Sequence, residues 1–391
     1  MNARVEISDM KTAILLGAGS SVPAGFPSTE LLTEQVLSSS GVCRHTDETY
    51  FIDDNLPTAE VSTYVTRLLR HIHGQADQYL MENANRPANY EDIYNIIDQV
   101  YEERFGESEN PTIYDYMDKL FKYMEPLCGS TGMGHNQLLN EMRNYIADVV
   151  WRFLSRTEYS SDHLKILEAA CKSNFVSSIS TLCHDTHVET YLETQGIPLD
   201  DGFPEEELGA RYWHGDFSSA HKIPFLNLHG SVNWFRLRLD SSESFYDDRI
   251  GIPLDGDHDH VKGRDGEFQF SLDGRPILLI GTFNKIPDYT RGIFRELHHQ
   301  FRQALLASTQ LLICGCSFGD KGINTAIIEW YYAERGRRFL TIHPDFEALI
   351  KNARGAIRNK WDEWVKCGGV RLICKNIEDV EERELFGYLK K

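Results

Sequence analysis

Small and polar residues with chemical reach recur at the ends of short apolar runs in this chain. The first run, Thr12 to Leu16, ends in Gly17, Ala18, Gly19, Ser20 and Ser21. The run beginning at 175 ends in Thr181, Cys183, His184 and Asp185, and the run beginning at 223 ends in His229, Gly230 and Ser231. Gly315, Ser317 and Asp320 follow the run at 310, with Asn324 close behind, and His343 and Asp345 follow the run at 337. Glycine allows a tight turn and leaves no side chain in the way of a ligand. An apolar run, a glycine turn and then helical spacing (Leu31, Leu32, Val36) is how doubly wound folds cradle a pyrophosphate. The dinucleotide fingerprint wants a third glycine, and its place holds Val22. A tight strand-to-helix turn with no ligand therefore stays open as the alternative. For any one histidine or aspartate here, a cap or turn role is the plainer reading. Their recurrence at one edge is what points to a site.

Such residues need a sheet to line them up. The runs 175–185, 223–231, 276–282, 310–318, 337–345 and 370–376 are apolar and mostly short, with helical pattern between them. They predict an α/β fold, a Rossmann-like mostly parallel sheet with helices on both faces. Ligands of such sheets sit beyond the carboxyl ends of the strands. Candidate helices fall near 58–82, 90–104, 112–125 and 135–155. The last carries Leu138, Leu139, Met142, Tyr145, Ile146 and Val149 on one face at helical spacing. The expected organisation is a discontinuous Rossmann-like domain, 1–39 and 160–391, with a helical insertion module at 40–159. The stretch 240–270, polar and rich in Gly and Asp, is expected to be an extended, mobile excursion.

Composition narrows the partners. The chain has 391 residues, 40 basic and 59 acidic, for a net charge of −19. Phosphate contacts need a basic face, so no direct nucleic-acid binding is expected. No apolar stretch reaches the roughly 18 residues of a membrane span, and the first residues lack a signal core. The eight cysteines include no C-x-x-C pair, so no zinc is expected and a reduced, cytoplasmic setting fits. DGDHDH (255–260) fails the calcium-loop template, because His260 and Gly266 stand where glycine and glutamate belong. His71 and His73, two apart on a candidate helix, do not share a face.

In order, the chain carries GAGSS-x3-GFPST (with Gly25 in its second half), NYED (89–92), STLCHDTHVE (180–189), NLHGSVNW (227–234), GTFNKIPDY (281–289) and CGCSFGDKGIN (314–324). In these motifs, over nearly its whole length, it resembles the sirtuin superfamily, specifically the bacterial anti-phage branch. The resemblance implies NAD held between a Rossmann-like domain and a smaller helical module. It implies that Gly17, Ala18, Gly19 and Ser20 face the pyrophosphate, and that Gly315, Ser317, Asn324 and His343 hold the adenosine half. His229 matches the family's catalytic histidine and Asp185 the acidic residue of its T-x-N-x-D motif, which begins here at Thr181.

Two departures bear on the chemistry. Cys183 stands where the family has its catalytic asparagine, and a thiol cannot donate and accept as an amide does. A buried small hydrophobe is an equal reading of Cys183. The Asp-Phe-Arg run and the four-cysteine zinc module of deacetylating members are also missing. The reaction left is cleavage of the nicotinamide–ribose bond by water, through an oxocarbenium-like centre. His229 would be the base, and Asp185 would orient ribose or water or stabilise the cation. The resemblance further implies a homo-oligomer assembled with a HerA-type hexameric ATPase. An NAD- or ADP-ribose-binding subunit with little catalysis is the alternative, followed by a deacylase or ADP-ribosyltransferase.

Overall fold

A strand that is apolar along its whole length needs cover on both faces. β1 (Thr12–Leu16) is such a strand, buried from end to end. The computed structural model describes residues 11–107, 109–155, 160–204, 206–237, 249–254, 260–262, 266–282 and 285–389. In it β1 joins β2 (Val176–Thr181), β3 (Leu199–Asp200), β4 (Ile223–Asn227), β5 (Gln310–Cys314), β6 (Arg338–Ile342) and β7 (Val370–Ile373). They form one seven-stranded sheet in the order β7-β6-β5-β1-β2-β4-β3, and every pairing is parallel. Side chains alternate across it. Ala13, Leu15, Leu311 and Ile313 enter one core, while Ile14, Leu16, Leu312 and Cys314 enter the other.

The chain divides into two compact units, Met1–Phe26 with Thr157–Leu278 and Ile286–Lys391, and Pro27–Arg156 with Leu279–Lys285. The second unit is helical. Its helices are α1 (Thr29–Val36), α2 (Glu60–Ala84), α3 (Tyr90–Arg104), α4 (Tyr114–Thr131) and α5 (His135–Leu154). α5 packs against the other four and buries Leu138, Leu139, Met142, Tyr145, Ile146 and Val149. A hairpin, Val42–Arg44 with Tyr50–Ile52, is pinned to α5 by two buried carboxylates. Glu141 pairs with Arg44 at 2.5 Å and accepts from the Tyr50 hydroxyl. Asp148 accepts from the Tyr50 amide at 2.8 Å.

The first unit wraps the sheet. One face is covered by α9 (Gly292–Leu306), α10 (Lys321–Ala333) and α12 (Ala356–Lys366), through Leu297, Phe301, Ile327, Trp330, Trp361 and Trp364. The other is covered by α6 (Lys165–Lys172), α7 (His187–Thr194) and α13 (Glu382–Leu389), through Leu167, Leu192 and Leu385. The short α8 (Lys285–Asp288) precedes α9, and α11 (Phe346–Asn352) precedes α12.

Two expectations need correction. PILLIGT (276–282) is not a strand of the sheet, since Leu278 makes only an isolated antiparallel bridge to Gly230. Leu279 and Ile280 are buried all the same, and burial of an apolar run does not require pairing. The stretch 240–270 is not irregular throughout either. Arg249–Pro253 pairs antiparallel with Ala210–Tyr212 and Phe235–Leu237 in a small sheet, and His260–Lys262 pairs with Phe268–Phe270. Residues 255–259 of DGDHDH lie outside the described residues. Among the described residues, no helix is long and apolar enough to cross a membrane.

Candidate functional site

The strand order reverses between β1 and β5, because the chain leaves β1 for β2 on one side and later returns as β5 on the other. Such a reversal opens a crevice at the carboxyl edge. Two glycine turns meet there. Gly17 donates its amide to Cys314 O at 2.9 Å, and Gly19 donates to Gly315 O at 3.0 Å. A Cβ at Gly17 would lie 2.5 Å from Gly315 O, and one at Gly315 would lie 2.2 Å from Ser20 N. These glycines are therefore demanded by backbone packing between the turns, whatever binds beyond them. Ala18 and Gly19 are exposed, and Ser20 and Ser21 are buried.

The turn is not the start of a long helix. Two single turns of 3-10 helix follow it, Ala18–Ser20 and Val22–Ala24, and Gly25 ends the second in the left-handed region. α1 begins only at Thr29, capped by Ser28 Oγ accepting from the Leu31 amide at 3.3 Å. The strand–turn–helix cradle of the sequence is thus interrupted, and the N-terminus of α1 lies well along the chain from Gly19.

Ser20 and Ser21 reach instead toward the end of β2. Cys183 Sγ lies 3.8 Å from Ser20 Oγ and 3.9 Å from Ser21 Oγ. Ser21 Oγ donates to Asp185 Oδ1 at 3.1 Å, as does the His187 amide. The Cys183 amide donates to Thr181 Oγ1 at 3.0 Å. His163 Nε2 meets Ser20 O at 3.0 Å. Burial pushes Asp185 up to about 6 despite these donors, and pushes Cys183 up to about 12. At neutral pH Cys183 is a thiol and no nucleophile.

His229 lies just past the end of β4 with a side chain only 5 % exposed. Its Nε2 is 3.3 Å from Asp320 Oδ2 and 3.2 Å from Tyr289 Oη. Tyr289 in turn donates a short hydrogen bond to Asp320 and stacks on His298 with centroids 3.7 Å apart. Burial, then the nearness of His229, pulls His298 down to about 3. The ring of His184, between Cys183 and Asp185 in sequence, lies 6.1 Å from that of His229, so the two groups adjoin. Beside them Asn227 donates to Glu189 at 3.0 Å, and burial pushes that carboxyl up to about 8.

The residues assigned to adenosine follow β5 and β6. Ser317 is exposed and accepts from the Gly319 amide at 3.3 Å. Asn324 is buried and donates to Phe318 O at 2.8 Å, while its Oδ1 has no hydrogen-bond partner. His343 Nδ1 accepts from the Asp345 amide at 3.0 Å, and burial lowers its pKa. None of the three is hydrogen-bonded to the His229 or Asp185 groups. NYED proves to be a helix start. Asn89 and Asp92 form the capping box of α3, Arg86 grips Asp92 with two bonds of 2.7 and 2.8 Å, and Glu91 pairs with buried Lys285 at 3.0 Å.

Sequence reasoning did not single out Tyr289, His298 or His163 as site residues. Tyr289 closes the GTFNKIPDY motif, which was its one visible mark. Nothing local flags the two histidines. Among the described residues, no group of three or more His, Cys, Asp or Glu could hold a metal ion. The arrangement can accept a proton at His229, hold charge on Asp320, and donate hydroxyls from Ser20 and Ser21 beside a carboxyl that titrates near neutrality.

No protein-family profile matches the chain, and no curated protein does. Among solved structures it is similar to a Sir2 homolog–NAD complex, with 11 % identity, 98 % of this chain and 91 % of that chain covered, and a TM-score of 0.39. A Sir2 variant with a p53 peptide and NAD gives 8 %, 98 % and 95 %, and 0.37. An ADP-ribose complex of a Sir2 homologue mutant gives 12 %, 94 % and 96 %, and 0.35.

Proposed function

We propose that this chain binds NAD at the carboxyl edge of its sheet and hydrolyses the nicotinamide–ribose bond, releasing nicotinamide and ADP-ribose. The observation that carries the reading is the adjacency of His229, backed by Asp320, to the Ser20–Ser21–Cys183–Asp185 group at one strand edge. In this reading His229 takes a proton from the attacking water or a ribose hydroxyl. Asp185 faces the developing cation, where a carboxylate stabilises charge. The glycine turns at Gly17, Ala18, Gly19 and Gly315 leave the pyrophosphate room against backbone, with Ser20, Gly25 and Thr181 around it. Asn324 Oδ1, with Ser317 and His343, takes the adenosine half. The sequence resemblance extends this to a cytoplasmic anti-phage effector, oligomeric and restrained or triggered by a HerA-type ATPase.

The test is nicotinamide release from NAD by the pure chain and by the chain assembled with its ATPase partner. His229→Ala should reduce release by about 10²–10⁴-fold while the protein stays folded, since Asp320 and Tyr289 keep each other as partners. Unchanged release from that variant refutes the assignment. One observation favours a second reading, a binding subunit with little turnover. Cys183 is a buried neutral thiol where the family uses an amide. Tight NAD binding by calorimetry with no release, alone or assembled, would select that reading.

A further inference from the structure

We infer that Asp320 is a positioning residue for His229, fixing its tautomer so that Nε2 carries the proton and Nδ1 is the basic nitrogen. The inference rests on the reading of His229 as the base and adds the residue that would hold it. The two oxygens of Asp320 divide their work. Oδ1 caps α10, accepting from the Ile323 amide at 2.9 Å. Oδ2 accepts from Tyr289 Oη and lies 3.3 Å from His229 Nε2. Tyr289 Oη gives its hydrogen to Asp320 and can therefore only accept from His229 Nε2, 3.2 Å away, so that nitrogen carries hydrogen. A neutral histidine whose one nitrogen donates presents the other as acceptor.

Tyr289 completes the clamp. Tyr289 is wedged between His298 of α9, on which it stacks, and Gly322 of α10, where a Cβ would sit 2.4 Å from its Cε2. Its hydroxyl therefore arrives at Asp320 and His229 from a fixed ring. Among the described residues, the titratable groups facing His229 include Asp320, Tyr289, His298 and His184. Asp320 alone of these four ordinarily carries a charge at neutral pH.

Asp320→Asn isolates this role, because asparagine caps a helix as well as aspartate does. The expected result is an intact fold with kcat lowered by about 10- to 100-fold. KM for NAD should change by less than about threefold. Tyr289→Phe keeps the stacked ring and should lose less. A readout free of activity is the nitrogen NMR of the His229 imidazole without NAD. The wild type should show a single Nε2–H tautomer and Asp320→Asn a mixture. A mixed tautomer in the wild type, or a folded Asp320→Asn that keeps the single Nε2–H tautomer, overturns the inference. A locked tautomer in a wild type that releases no nicotinamide keeps the pairing and removes the proposed reaction.

Discussion

Gly315→Ala gives the sharpest test of the site's architecture, because its cost can be worked from geometry. Gly315 has φ +68, a conformation that costs a residue with a Cβ about 1–2 kcal/mol. The added Cβ would also lie 2.2 Å from Ser20 N and 2.6 Å from Gly19 C. Both are backbone atoms of the β1 turn, so no side chain can swing aside. Overpacking of this kind costs a further 1–3 kcal/mol or so. Gly336→Ala is the control. It carries the same kind of strain, φ +94, with nothing within 4 Å of its Cβ, and should lose only about 1–2 kcal/mol. The assay is urea unfolding followed by tryptophan fluorescence. Trp234, Trp330, Trp361 and Trp364 are buried in the core of the sheet unit and report its transition. If Gly315→Ala loses no more than Gly336→Ala, the turns do not press on each other and the glycines need another explanation. The same contact means that Gly19→Val would lose the proposed NAD binding through the fold, since its Cβ meets Gly315 O at 2.9 Å.

Three further outcomes are expected. Cys183→Asn should raise nicotinamide release with little change in melting temperature, because Ser20 and Ser21 hydroxyls already point at the thiol and can bond the amide. A loss above about 2 kcal/mol would mean that the amide is left unpaired. Asp185→Asn should abolish a pH slope in stability. The native carboxyl, at about 6, holds a proton that the unfolded chain has lost between roughly pH 4 and 6, so wild-type stability falls as pH rises through that window and then levels. Removing the charge should stabilise by up to about 3 kcal/mol at pH 7 and by little near pH 4. An equal difference at both pH values, in urea midpoints, refutes this. On the proposed function, nicotinamide release by the isolated chain should be weak and should rise on assembly with a HerA-type ATPase, measured as nicotinamide per subunit. High turnover without the partner would contradict the expected restraint.

The sheet was legible because parallel strands announce themselves as unbroken apolar runs. TAILL and QLLIC need no partner's sequence to be recognised as buried on both faces. Their polar terminators, Gly17, Thr181, His229, Gly315 and His343, were legible for the same reason. PILLIGT misled because the same run length serves a buried segment that pairs with almost nothing. Two-residue β3 was too short to register at all. The setting of His229 was hidden for a different reason. Tyr289 reaches it from 60 residues away in sequence, and its place is set by stacking on His298 and by the flat of Gly322. Those contacts are made by tertiary packing, which leaves no local period or spacing. The NYED motif shows the converse, a pattern conspicuous in sequence that turns out to start a helix.

The central place of β1 has a consequence for how the chain comes to exist. One of its two neighbours, β2, lies far downstream, and the other, β5, comes later still, with Cys316 and Leu15 bonded across 301 positions of sequence. Bringing segments that distant together costs on the order of 5 kcal/mol of chain entropy before any pairing repays it. Parallel sheets closed this way fold slowly. During synthesis TAILL must wait, apolar and unpaired, until most of the protein has left the ribosome, and it is an aggregation hazard for that interval. The wait also has a protective side. The two glycine turns form a common floor only when the last third of the chain has joined the first strand. A truncated product therefore has neither the crevice nor His229 held by Asp320, and the reaction proposed above would be absent from fragments.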